Sequence, residues 1–390
     1  MTTIFKTYVV GGAVRDALMG LPVKDRDYVV VGATPEQMKA AGFIPVGKDF
    51  PVFLHPITHE EYALARTERK TAPGYTGFVF HASPEVTLEQ DLQRRDLTIN
   101  AIAQDQDGTL IDPCGGQADL VNQVFRHVSH AFAEDPVRIL RVARFAARFT
   151  QFVVAPETAK LMHHMVESGE VDALVSERVW QEISRGLMEA KPSQMFDVLR
   201  ECQALTRLMP ELDLLANPSG AVGFEQMMRE LDHAAQSEAT LPMRFAVIAH
   251  NLPNEQLASA LCDRLKLPNE VKELALLAAR ERNIISKAEV MTADDIVKLL
   301  ERCDAFRKTD RFNELLKIYE LIYSLDHHKN NFVSVNVLKV SLDAAKAVNA
   351  GQIAASVAAS HPNHPAHAIA PAVHDARVNA VQARLDAIHE

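Results

Sequence analysis

The sequence predicts an α+β chain: an N-terminal head built on a mixed sheet, followed by helix alone. Three observations predict it. Short β-branched and aromatic runs alternate with helical segments over residues 1–130. Strand signals nearly vanish from about residue 134, where Leu140, Ala143 and Ala147 begin an apolar recurrence at helical spacing. A glycine pair closes the first apolar run, and two carboxylates one residue apart open the second.

In chain order, Tyr8–Val10 is the first strand-like run and leads into Gly11-Gly12 and a short helical segment. Further runs follow at Tyr28–Val31, Val52–His55, Tyr62–Ala65 and Ile111, punctuated by turn signals at Pro73-Gly74 and Gly115-Gly116. In the helical part, Asn217-Pro-Ser-Gly and Leu252-Pro-Asn read as breaks. Residues 361–367 (His-Pro-Asn-His-Pro-Ala-His) are expected to form a loop, because Pro362 and Pro365 oppose a helix. A last helix should then end near Ile388. The histidines there read as a polar turn rather than a metal site.

The chain has 390 residues, enough for two to four domains of about 150 residues each. Hydrophobic residues make up 47% and charged residues 24%, as in an ordinary globular protein. No apolar run approaches the ~20 residues that span a bilayer, and the N-terminus lacks a signal-like apolar core. Cys114, Cys202, Cys262 and Cys303 form no CxxC pair, so reduced thiols in a cytoplasmic protein are expected, without a zinc site. The net charge of −10 argues against a nucleic-acid partner, but charge is not spread evenly. Arg94, Arg95, Arg126, Arg138, Arg141, Arg144 and Arg148 fall within residues 91–148. They read either as a phosphate-binding stripe or as a solvated helix face.

Asp25 and Asp27 carry the first chemical signal. Side chains alternate along a strand, so both are expected to project from one face. Two adjacent carboxylates repel each other unless a cation lies between them. Mg²⁺ is the usual answer, held by one or two carboxylates and by substrate phosphates. Gly11 and Gly12 lack a Cβ and allow close approach of backbone to phosphate. The order strand, Gly-Gly, helix, Asp-x-Asp, strand therefore describes a nucleoside triphosphate site, where either motif alone would read as a turn. Glu61, on a strand-like run, is the choice for a third carboxylate beside the pair; an exposed Glu60-Glu61 pair is the alternative.

Arg94-Arg95-Asp96-Leu-Thr-Ile-Asn100 is a second cluster. Guanidinium forks match phosphate oxygens, so the two arginines can clamp a triphosphate. Asp96 can orient an arginine or accept from a ribose hydroxyl, and Asn100 can make either contact. Alternatively, Asp96 and Thr98 cap a helix. Glu134-Asp135-Pro136-Val137-Arg138 opens a helix with proline in its first turn, and Asp135 and Arg138 are expected to share a helix face. An Asp accepts from an exocyclic amino group and an Arg donates to a ring nitrogen. Such a pair suits cytosine and adenine and rejects uracil and guanine. Standing alone, the segment would instead read as a capped helix with an internal ion pair.

The ordered motifs Gly-Gly-Ala-Val-Arg-Asp (Gly11–Asp16), Asp25-Arg-Asp27, Arg94 to Ala101, Asp112-Pro-Cys-Gly-Gly116, Glu134 to Arg141 and Glu177-Arg-Val-Trp-Gln-Glu182 resemble the class II tRNA nucleotidyltransferases. These are the bacterial CCA-adding enzymes, related to bacterial poly(A) polymerases. Lys48–Pro56 and the run from Glu61 resemble the proteobacterial branch. The match is strong over residues 6–212 and weaker beyond. It implies a polymerase-β-like nucleotidyltransferase head (1–133), a helical neck that recognises the base (134–212), a helical body (213–325) and a helical tRNA-binding tail (326–390). It implies template-independent addition of C, C and A to the tRNA 3′ end from CTP and ATP, by in-line attack of the 3′-OH on the α-phosphate.

By matching position, Asp25 and Asp27 would bind two Mg²⁺, one lowering the pKa of the hydroxyl and one holding pyrophosphate, with Glu61 supporting them. Gly11, Gly12 and Arg15 would contact the triphosphate with Arg95 and Asn100, and Asp135 and Arg138 would read the base. Arg141 and Arg144 would meet phosphates or tRNA. Relatives with this architecture often carry a metal-dependent HD phosphohydrolase body. Here the matching run, Arg244 to Asn251, ends His250-Asn251, with Asn in place of Asp, and only His233 lies upstream to act as the first histidine. Neutral Asn cannot balance a divalent ion, so a degenerate body without phosphohydrolase activity is expected. Poly(A) polymerase, a CC- or A-adding enzyme and a non-catalytic RNA-binding protein are the competing readings.

Overall fold

The computed structural model describes residues 6–46, 52–70, 78–216, 223–325, 330–360 and 365–389. The turn expected at Pro73-Gly74, the break at Asn217 to Gly220, the start of the Lys48–Pro56 motif and residues 361–364 lie outside the described residues. The chain divides into two compact units, residues 1–186 with 194–210, and residues 187–193 with 211–390.

In the first unit, β1 (Lys6–Val10), α1 (Gly12–Leu18), β2 (Asp27–Val31), α2 (Pro35–Ala40), β3 (Ile44–Val46), β4 (Val52–Leu54) and β5 (Glu61–Leu64) lead into a hairpin of β6 (Arg66–Lys70) and β7 (Phe78–Ala82). Then come α3 (Leu88–Gln93), β8 (Ala103–Gln104), β9 (Leu110–Ile111), α4 (Gly116–Asn122) and β10 (Val124–Phe125). The sheet runs β3-β4-β5-β2-β1-β8-β9. It is mixed, since β2 and β5 are parallel and the other neighbours antiparallel.

The Val29-Val30-Val31 run does not alternate with polar residues because both faces of β2 are covered. Val29 packs with Val10, Ala65, Leu88 and Leu92 on one face. Val30 packs with Met38, Phe53 and Leu64 on the other.

Sequence reading located β1, β2, β4, β5 and β9 but missed β3, β8, β10 and the β6–β7 hairpin. β3 centres on Pro45 and lies at the sheet edge, where a missing N–H is tolerated. β6 reads Arg-Thr-Glu-Arg-Lys and has no apolar alternation.

The helices α5 (Val137–Arg148), α6 (Pro156–Glu167), α7 (Ser176–Leu187), α8 (Ser193–Glu201), α9 (Ala204–Leu208) and α10 (Pro210–Asp213) follow. A two-residue β11 (Val153–Val154), unexpected in a helical stretch, pairs in parallel with β10.

The second unit holds α11 (Phe224–Gln236), α12 (Leu241–Asn251), α13 (Glu255–Arg264), α14 (Asn269–Ile285), α15 (Ala293–Arg302), α16 (Thr309–Leu325), α17 (Asn330–Lys346), α18 (Ala350–Ser360) and α19 (Pro365–His389). Residues 187–193 belong to it for a visible reason. The buried Arg244 guanidinium donates to the carbonyls of Leu187 and Glu189, and Asp232 accepts from the amide and hydroxyl of Ser193.

The Leu252-Pro-Asn break falls between α12 and α13 as expected, with Arg282 donating to the carbonyls of His250 and Leu252. Within the loop expected over 361–367, the described residues 365–367 are helical instead. Pro365 begins α19 as its first residue, where a missing N–H costs nothing, so His367 is helical.

Candidate active site

Asp27 is the first residue of β2, directly opposite Glu61, the first residue of the parallel β5. Both therefore lie on the sheet face that also carries Val29 and Ala65, towards α3. Asp25 does not share the strand with Asp27. β1 ends at Val10, which pairs with Asp27, and Gly11 turns the chain away at φ 71°, so residues 25 and 26 have no β1 partner. Burial raises the Asp27 carboxyl above its ordinary value; Arg95 opposes the rise and the Asp25 charge adds to it. The two carboxylates and Arg95 thus share one electrostatic site.

The carboxylates offer only oxygen ligands, which fits a hard cation such as Mg²⁺. Among the described residues no three His, Cys, Asp or Glu side chains gather closely enough to hold a metal alone. The strand register brings Asp27 and Glu61 together, but Asp25, Asp27 and Glu61 do not form such a group.

Gly11 and Gly12 form the turn from β1 into α1. A Cβ at Gly11 would lie 3.0 Å from Arg95 Nη1, and one at Gly12 would lie 3.5 Å from Arg15 Nη2. Gly11 thus eases the close approach of Arg95 to the turn, whereas the contact at Gly12 is one an ordinary side chain would also allow. Arg15 is buried. Its Nε and Nη2 donate to Asp16, its Nη1 donates to Asn100 at 2.5 Å, and its guanidinium lies over the rings of Phe145 and Phe149. Arg15 and Asn100 therefore hold each other, with the edge of Arg15 against Gly12. Arg95 is less satisfied: Nη2 donates to Asp91, while its buried Nε has no partner.

Asp96 neither caps a helix nor points to solvent. Its Oδ1 accepts from Asn100 Nδ2 and its Oδ2 from Arg141 Nε at 2.7 Å. Burial alone would raise its carboxyl, but Arg141, the Asn100 amide and Arg138 hold it well below the ordinary carboxylate range. Thr98 donates to Asp119 rather than capping. Arg144 pairs with Glu182 and Arg148 with Asp16. The arginine-rich segment is thus neither a bare phosphate stripe nor a solvated face. Several of its members knit α5 to the glycine turn and to α7 through buried carboxylates.

Asp135 and Arg138 depart from the expected shared helix face. Asp135 precedes Pro136, and the proline ring disfavours helical backbone there. Asp135 is extended (φ −121°, ψ 104°) and α5 starts at Val137. Asp135 caps the helix by accepting from the Val137 amide, and it accepts a fork from Arg178. The Arg138 amide donates to the Asp135 carbonyl. Arg138 donates to the carbonyls of Ala131 and Arg94.

Sequence reading missed Asp91 and Arg178. Asp91 was legible in principle, lying three and four residues before Arg94 and Arg95, which follow directly on the end of its helix. Arg178 carried no local signal, since its partner is 43 residues away.

Comparison with known proteins agrees with this architecture. Residues 7–126 match a family described as the poly A polymerase head domain, and residues 151–215 match a probable RNA and SrmB-binding site of polymerase A. A "Multifunctional CCA protein" of Janthinobacterium sp. (strain Marseille) is 54% identical over 412 aligned positions, covering 97% of this chain and 98% of the relative. The chain belongs to the bacterial CCA-adding tRNA nucleotidyltransferases. Another "Multifunctional CCA protein", from Burkholderia mallei (strain SAVP1), is 55% identical, covering 96% of this chain and 98% of that relative. Among solved structures, a Bacillus stearothermophilus CCA-adding enzyme in complex with CTP is 26% identical with a TM-score of 0.58, covering 82% of this chain and 79% of that one. Like them, this tRNA nucleotidyltransferase is an enzyme, and no described helix is long and apolar enough to cross a membrane.

Proposed function

We propose that the chain adds C, C and A in turn to the 3′ end of tRNA, using CTP and ATP and releasing pyrophosphate. The reading rests above all on Asp27 standing opposite Glu61 with Asp25 and Arg95 beside them, next to the glycine turn.

In this mechanism Asp25 and Asp27 hold Mg²⁺, and Glu61 adds negative charge from the neighbouring strand. Bound Mg²⁺ supplies a lowered pKa for the attacking hydroxyl and charge neutralisation for the leaving pyrophosphate. Gly11 and Gly12 admit the triphosphate close to the backbone. Arg95, with its unpaired Nε, and the edge of Arg15 meet its oxygens, while Asn100 fixes Arg15. Asp135 accepts from the exocyclic amino group of C or A, and Arg138 donates to the adjoining ring nitrogen after exchanging a carbonyl for the base. Asp96 and Glu182 hold Arg141 and Arg144 on α5, whose remaining N–H groups face phosphates or tRNA. The 3′-OH then attacks the α-phosphate in line. The head, neck, body and tail divide at 1–133, 134–212, 213–325 and 326–390, with the tail contacting tRNA, and the enzyme works in the cytoplasm.

We also propose that the body has no phosphohydrolase activity. Asn251 Nδ2 donates to Glu230 at 2.6 Å and to the Val247 carbonyl. Burial and Arg282 push the His250 imidazole down to about 4, and it meets the Tyr319 ring edge-on. His233 bonds Ser324 instead. Metal-dependent phosphate release from a 2′,3′-cyclic nucleotide would contradict this.

Single-nucleotide incorporation with Mg²⁺ on three tRNAs, ending before CCA, after the first C and after CC, tests the main reading. It expects C on the first two, A on the third, and then a stop. Repeated A on any RNA would indicate a poly(A) polymerase, and no addition would indicate an RNA-binding protein.

A further inference from the structure

Asp91 is fully buried on α3 and touches no group proposed to meet the base or the metal. Its Oδ1 accepts from Arg94 Nε at 3.0 Å, Arg94 Nη2 at 2.7 Å and the Arg66 amide at 3.3 Å. Its Oδ2 accepts from Arg95 Nη2 at 3.2 Å. One carboxylate therefore fixes two consecutive arginines, and the carbonyl of the first, Arg94, accepts from Arg138 Nη2 at 2.7 Å.

A purely structural ion cluster is a poor account of this arrangement. Buried ion pairs contribute little unless every polar group is satisfied, and apolar residues of similar volume often serve stability better. Here Arg95 keeps a buried Nε with no partner, an arrangement that costs free energy until something accepts from it. Its Nη1 lies against the glycine turn, 3.0 Å from where a Cβ on Gly11 would sit. A long, flexible arginine held by one hydrogen bond with a second donor edge unsatisfied is prepared for an anion.

We propose that Asp91 is a positioning residue for the nucleotide, aiming Arg95 across the Gly11 turn at the triphosphate and tying that clamp, through Arg94, to Arg138. The inference rests on the reading of Arg95 as a triphosphate contact. It adds that the clamp depends on the paired accepting oxygens that Asp91 places, and not merely on the negative charge it adds to the site. Loss of a negative charge beside two arginines would by itself tighten anion binding; loss of aim weakens it. The two effects have opposite signs, and where a single charge-assisted bond sets the aim the second prevails.

The test uses the full-length enzyme, with inorganic tripolyphosphate as a competitive inhibitor. In Asp91→Asn, the KM for CTP and for ATP and the tripolyphosphate inhibition constant should all rise about tenfold or more. The KM for tRNA should stay unchanged. Arg95→Ala should show the same rise, and adding Asp91→Asn to it should raise the constants little further, because Asp91 acts through Arg95. Tighter inhibition in Asp91→Asn, or unchanged inhibition while Arg95→Ala weakens it, overturns the role of Asp91. No effect of Arg95→Ala overturns the triphosphate reading beneath it, and the proposal falls with that reading. If Asp91→Asn does not fold by thermal melting, Asp91→Glu keeps the charge and displaces the oxygens. Weakened inhibition in that variant supports positioning, and wild-type inhibition overturns it.

Discussion

Arg178 donates to both carboxylate oxygens of Asp135, at 3.1 and 2.8 Å, while Arg138, only three residues from Asp135, turns to backbone carbonyls. Base reading would therefore rest on two side chains held by separate partners, with Arg178 fixing the plane of the accepting carboxylate. Replacing Asp135 with Asn exchanges one accepting oxygen for a donating amide, the pattern that uracil rather than cytosine matches. A buried mismatch costs about 1–3 kcal/mol, so Asp135→Asn should move the CTP-over-UTP preference by roughly 10- to 100-fold towards UTP. The kcat/KM for each nucleotide on a tRNA lacking CCA measures it; an unchanged ratio would remove Asp135 from base selection.

Asp27 combines a raised carboxyl with a place opposite Glu61. Asn at this position keeps the shape and removes the charge that a divalent cation needs. Asp27→Asn should lower single-turnover incorporation by ~10³-fold or more, since metal-assisted charge stabilisation supplies several kcal/mol. tRNA affinity, measured by filter binding, should be nearly unchanged. Near-normal turnover would refute the assignment.

Strands β1, β2, β4, β5 and β9 and the break before Asn254 were legible because each depends on local chemistry: β-branched or apolar runs, glycine φ, and proline. The positions of Asp25, Asp135 and Arg15 were not. Asp25 falls off the strand because β1 has ended. Asp135 is unwound by its own following proline, a rule readable in the sequence but outweighed there by the i,i+3 spacing. Arg15 turns inward because Phe145 and Phe149, 130 and more residues later, offer it aromatic faces. The types of chemistry at the site could thus be read from the sequence, whereas the partner of each arginine depends on distant contacts.

Gly116, which opens α4, is less replaceable than its ordinary helical backbone suggests. A Cβ there would lie 2.2 Å from the Thr98 carbonyl oxygen and 2.8 Å from Ile102 Cγ1. The first contact is backbone and cannot swing aside, so α4 would be pushed from the 3-10 turn Thr98–Asn100. Asn100 holds Arg15, so the shift reaches the glycine turn. Gly116→Ala should destabilise the head by roughly 1–3 kcal/mol, read as a lower urea midpoint. It should also slow incorporation; a wild-type midpoint would show that the turn can relax.

His374 joins α19 to α15 through both ring nitrogens. Nδ1 lies 3.0 Å from Glu301 Oε2 and Nε2 lies 2.9 Å from Asp294 Oδ1. Carboxylates only accept, so both bonds form together only when both nitrogens carry protons, in the imidazolium. The Asp294 bond, against a smaller cost of burial and with help from Glu301, raises the imidazole above its ordinary value. Lys298 shares Asp294, and Arg377 shares Glu301 while lying over the Phe306 ring. Because the folded pKa exceeds the unfolded one, the contribution is fully present below about pH 6.5 and is lost as pH rises through the folded value. Arg377 stays charged throughout, so α19 should loosen rather than detach. Hydrogen exchange in α19, corrected for intrinsic rates, should therefore be faster at high pH in the native chain. In His374→Gln it should be fast at both ends of the range, and a variant that kept the native pH dependence would place the titrating group elsewhere.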